Sequence, residues 1–103
     1  MKRSELFRRI LDALQGAPAA SPAAIGAGAA VRLIMSHEGS TPAGVRPACE
    51  VDLYRSAHMA LRRMPVSPES DSALDALHRL LAMHVGRERQ QELVASWDAQ
   101  LTN

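Results

Sequence analysis

The sequence predicts an all-α fold, a compact bundle of four to five short helices forming a single domain over residues 1–103. Three observations predict it. The apolar content is Ala, Leu, Val and Met, with one Phe, one Tyr and one Trp in the whole chain. Ala and Leu favour helix, and the residues that favour strand are scarce. Apolar positions recur at three- and four-residue spacing, and Pro, Gly and Ser fall between the resulting stripes.

Each element follows from its local residues. Ser4 is a candidate N-cap, and Leu6, Phe7, Ile10, Leu11 and Leu14 make one apolar stripe behind it. Gly16 and Pro18 close this first helix, expected at about 4–15. A linker at 16–21, rich in Ala and Pro, would let the helix detach. Ser21 and Pro22 read as a cap and first-turn pair for a second helix, expected to run to about His37. Gly26 and Gly28 lie in its Ala-rich first half, where glycine costs about 1 kcal/mol against alanine. Close approach of another backbone is one reason for them, and absence of helix before Ala29 is the other.

Gly39 to Pro47 reads as a loop, with Pro47 opening a third helix over 48–64. That helix carries two apolar faces. Val51, Tyr54, His58 and Leu61 form one; Leu53, Ala57, Ala60 and Met64 form the other. Two faces predict a central helix with neighbours on both sides. Ser67-Pro68-Glu69 is a strong start for a fourth helix, paired with the third in an antiparallel hairpin. Its stripe is Leu74, Leu77, Leu81 and His84. Gly86 breaks the chain, and a fifth helix covers about 87–101 with Leu93, Val94, Trp97 and Leu101 inward.

Composition limits function. The net charge is +1, so no basic field argues for nucleic acid. Cys49 is the only cysteine, which excludes an intramolecular disulfide and fits a reducing compartment. Met1-Lys2-Arg3 is not followed by an apolar signal region, and the run Ala23 to Val31 is too short to span a bilayer. A cytoplasmic protein without membrane contact is expected. Small Ala side chains bury little area each, so a second subunit is expected to complete the burial in a homodimer.

No chemistry-bearing motif stands out. His84 and Glu88 are four apart, but Gly86 lies between them. Cys49 could pair with His37 or His58 only if the fold joined them, and Gly26 and Gly28 follow no strand as a phosphate loop would. His58 and His84 sit inside apolar stripes, which suits hydrogen-bonded core histidines. No catalytic residue, metal or cofactor is expected.

Two binding surfaces remain. The first is the stripe Leu6, Phe7, Ile10, Leu11 and Leu14, which could dock in a partner's groove or equally belong to the core. The second is a degenerate helix-turn-helix at about 78–97, in which Arg87, Arg89 and Gln90 would meet DNA. That motif fails at two positions. Arg87 stands where an apolar residue belongs, and Glu92 falls on a position that should be buried.

The length, the helix-only plan and segments such as Val51 to Pro65 (VDLYRSAHMALRRMP) resemble the small all-helical quorum-sensing antiactivators of the QslA and TraM type. The resemblance implies a protein that binds a LuxR-family transcription factor and blocks its dimerisation or DNA binding. It carries over no site residue.

Overall fold

The computed structural model describes residues 2–16, 21–40 and 49–101. Its order is α1 (Arg3–Gln15), α2 (Pro22–Ser40), α3 (Cys49–Arg63), α4 (Pro68–Val85) and α5 (Arg87–Leu101), with no strand among the described residues. The expected all-α bundle is therefore found, with five helices among the described residues.

Two helix pairs form its frame: α1 packs mainly on α4, and α2 on α3. Both pairs run antiparallel. In the first, Arg3 reaches Leu80 while Arg9 reaches Asp75. In the second, Gly26 near the start of α2 lies against Ala60 near the end of α3. The small residues the sequence placed here permit close packing. Ala27 and Ala30 of α2, Ala57 and Ala60 of α3, and Ala73 and Ala76 of α4 are all buried. The pairs join through α3 and α4, also antiparallel, since His58 meets His78 and Tyr54 stacks on His84. Helix α5 closes one side against α4 and α3, with Trp97 as its buried anchor. As expected, α3 is central and touches α2, α4 and α5.

Local chemistry sets the ends. Ser67 caps α4 by accepting from the Ser70 amide at 3.1 Å, and Ser70 Oγ accepts from the Ser67 amide at 3.0 Å. This reciprocal pair satisfies two amides that the first helical turn leaves over. Ser21 accepts from the Ala24 amide at 3.3 Å and starts α2 as expected. Gly86 separates α4 from α5 with φ +94° and ψ 156°, a conformation open to glycine.

Three boundaries differ from the sequence reading. Helix α1 begins at Arg3, with Lys2 rather than Ser4 at its cap and no side-chain hydrogen bond there. Its start is fixed instead by Arg3, whose guanidinium donates to Tyr54 Oη at 3.2 Å. Gly16 ends α1 in a right-handed conformation, not the left-handed one. Helix α2 continues past His37 to Ser40, which the sequence permits because the first residue disfavoured before a proline is Thr41. The expected linker residues 17–20, the loop residues 41–47 and the expected α3 start at Ala48 lie outside the described residues.

Candidate functional site

The most concentrated chemistry lies where α3, α4 and α5 meet. His58 of α3 has no solvent exposure. Its Nε2 lies 2.7 Å from Asp98 Oδ1 of α5, and its Nδ1 lies 3.0 Å from His78 Nε2 of α4. Arg62, one turn after His58, grips the same carboxylate as a fork, Nε to Oδ1 and a terminal nitrogen to Oδ2, both at 3.2 Å. Trp97 covers the cluster with its ring centroid 5.4 Å from that of His58.

The hydrogens follow from the acceptors. An ionised Asp98 only accepts, so His58 Nε2 carries a proton and donates to it. In neutral His58 the other nitrogen, Nδ1, must then accept, and His78 Nε2–H donates to it. The result is a directed chain, His78 to His58 to Asp98.

Electrostatics keeps both rings neutral. Burial lowers the pKa of His58 below its ordinary value, and the Arg62 charge lowers it further; the hydrogen bond and charge of Asp98 oppose this without winning. Burial, then the charges of His58 and Arg62, hold His78 down to about 4, although Asp98 and Asp75 pull the other way. Burial would raise Asp98, but the hydrogen bonds and charges of His58 and Arg62 outweigh it and hold the carboxyl below its ordinary value.

This cluster resembles an acid–base relay in its connectivity. Yet the hydrogen bonds of the two histidines run only to each other and to Asp98, and no hydroxyl or thiol of a described residue joins the chain. Among the described residues no group of three or more His, Cys, Asp or Glu side chains could hold a metal ion. The paired histidines supply two nitrogens, fewer than a structural site needs. His84 instead stacks on Tyr54, with centroids 5.9 Å apart. The side chains of Cys49 and His37 lie outside the described residues, and His58 is already engaged.

The expected docking stripe of α1 is placed in the core. Leu6, Phe7 and Ile10 are 1%, 4% and 0% exposed, and Leu11 and Leu14 are half-buried against them. The cause is α4, on which α1 mainly packs. A partner could grip this stripe only after α1 left α4.

The region 78–97 also departs from a helix-turn-helix. One residue, Gly86, separates α4 from α5, where the motif has a three- to four-residue turn. Arg87 and Glu92 are both exposed, and Arg89 is held by Glu92 at 3.2 Å. Gln90 is half-buried, and Glu88 and Glu92 interrupt the basic run.

What sequence reasoning missed is the outer face of α2. Ile25 and Leu33 are 61% and 49% exposed, with exposed Ala29 between them at helical spacing. Met35 is also exposed, and Arg32 is the only charged side chain from Pro22 to Ser36. The signal was present as a helix apolar all round, a pattern that normally marks burial on every side. No helix among the described residues is long and apolar enough to cross a membrane.

No protein-family model, curated protein or solved structure matches this chain.

Proposed function

We propose that this chain is a non-enzymatic regulatory binding protein, an antiactivator that holds a LuxR-family transcription factor on an apolar helical surface. The observation that carries the reading is the outer face of α2. Ile25, Ala29 and Leu33 form an exposed apolar row on a helix whose inner face is already packed on α3. Leaving such a row in water forgoes about 1.5–3 kcal/mol for each large side chain that a partner could cover. The docking face therefore moves from α1, where the sequence put it, to α2. The same row is where a second copy would sit in a homodimer.

The alternative, duplex binding through Arg87, Arg89 and Gln90, has less support. Glu88 and Glu92 lie among those residues, and Arg89 is already paired.

A photo-crosslinking residue in place of Leu33, expressed in the native host, tests the reading. A covalent adduct with a transcription factor, lost when Ile25→Asp is added, is the expected result. An adduct of twice the chain mass alone would mean self-association and end the antiactivator reading. No adduct at all would end it too.

A further inference from the structure

We propose that the cleft between the first turns of α2 and the C-terminal half of α3 binds a small amphiphilic anion, a carboxylate carried on an unbranched apolar body. The cleft has a volume of about 680 Å³, within the range of about 300–1,000 Å³ typical of small-molecule sites. Pro22 and Gly26 line one wall, and Arg55, Met59 and Arg63 the other.

Charge is the first argument. Arg55, Met59 and Arg63 are four residues apart in turn, one row of α3 that puts an arginine about two turns from its fellow with an apolar side chain between. No acidic side chain among the described residues lines this cleft. The clefts beside α1 and at the start of α5 differ, because Glu5, Asp12 and Glu69 line the first and Glu88 and Glu92 the second. Neither arginine is paired with a carboxylate among the described residues. Arg55 donates to the neutral Gln100 amide oxygen at 2.7 Å, and Arg63 makes no ion pair with a described residue. Arg62, between them in sequence, points elsewhere and is held by Asp98. A guanidinium fork matches a carboxylate with two parallel hydrogen bonds.

Shape is the second argument. Gly26 weakens α2, yet packing on α3 does not require it. A Cβ there would meet only Ala60 Cβ at 3.9 Å, an ordinary contact. Its missing side chain instead keeps the wall between Pro22 and Met59 open. Pro22, Ala23, Met59 and Ala60 give that opening an apolar lining, which suits the body of the ligand.

The test is an NMR titration of the ¹⁵N-labelled full chain with octanoate, octylamine and inorganic phosphate. Octanoate is expected to saturate, with shifts centred on the Ala23, Gly26, Ser56 and Met59 amides. Octylamine should leave those amides in place, and phosphate should bind at least about tenfold more weakly, lacking the apolar body. Arg63→Gln, at an exposed position, should weaken octanoate by about tenfold through loss of a charge-assisted donor set. Gly26→Leu should block the cleft while the melting curve followed by Trp97 fluorescence stays cooperative, with a midpoint at or above the parent's. The proposal is overturned by shifts that spread equally to Leu33 and Met83, by octylamine or phosphate binding as tightly as octanoate, or by unchanged octanoate affinity in Arg63→Gln.

Discussion

His58 Nε2 and Asp98 Oδ1 stand 2.7 Å apart, and the histidine is wholly buried while the carboxylate is part-exposed. This contact ties α5 to the centre of the bundle and makes its attachment depend on pH. His58 and His78 both have pKa values lowered by burial, His78 to about 4. Well above the ordinary histidine value of 6.5, folded and unfolded chains both hold neutral rings, and their contribution to stability is fully present. As pH falls from about 6.5 towards 4, the unfolded chain takes up protons that the folded chain resists, so stability drops. Asp98, also lowered, adds a loss at still lower pH, below its ordinary value of 3.8. The expected loss from His78 alone is about 1–3 kcal/mol across that window. Urea midpoints at pH 7.5, 6.0 and 4.5 check it. His78→Gln should flatten the slope between the last two, and an equal slope in parent and variant would remove the prediction.

Asp98→Ala should destabilise the chain at neutral pH by about 1–3 kcal/mol, because the His58 Nε2–H donor is left buried without an acceptor. Arg62 contributes little of this, being 39% exposed and free to meet water. Asp98→Asn should recover part of the loss, since the amide oxygen can still accept from Nε2–H. Chemical denaturation followed by Trp97 fluorescence separates the two variants. Equal stability of Asp98→Ala and the parent would mean that the cluster contributes nothing to holding α5.

One substitution should have opposite signs at two glycines. Gly86→Ala forces an L side chain to φ +94°, ψ 156°, although no atom lies within 4 Å of the added Cβ. The cost is conformational, about 1–3 kcal/mol. Gly26→Ala adds a Cβ at ordinary contact distance inside a helix and should stabilise by up to about 1 kcal/mol. Thermal melts of the two single variants should move in opposite directions, and a shift of the same sign in both would contradict this account.

The same glycines show how far the sequence could be read. Gly86 was legible as a break because nothing helical spans it, and Ser67-Pro68 was legible because cap chemistry is local. All five helices were legible in this way, and the errors fell at boundaries: α1 begins at Arg3, which reaches Tyr54 on α3, and α2 runs on past His37 to Ser40. The polar cluster was half legible. His58 in an apolar stripe announced a buried ring that needs partners, but its partners lie 20 and 40 residues away on other helices. His78 and Asp98 carry no local mark that distinguishes them from solvated residues. The exposed face of α2 was missed for a related reason. Spacing shows that a helix is apolar, but it cannot show which of two apolar helices, α1 or α2, receives the neighbour that covers it.

That distinction gives the last prediction. Ile10 has no exposure and lies on the face of α1 that closes on α4, whereas Leu33 is 49% exposed on α2. Ile10→Ala should cost about 2–5 kcal/mol, the sum of lost transfer energy and the cavity left behind. Leu33→Ala should change stability by no more than about 0.5 kcal/mol, as exposed substitutions generally do. Ile10→Asp should unfold the chain, because it would place a carboxylate at a fully buried position of the hydrophobic core. Leu33→Asp should keep the helical circular dichroism and the melting temperature of the parent. If Ile10→Asp instead stays folded, α1 can leave α4 at little cost, and its stripe Leu6, Phe7, Ile10, Leu11 and Leu14 returns as the docking surface.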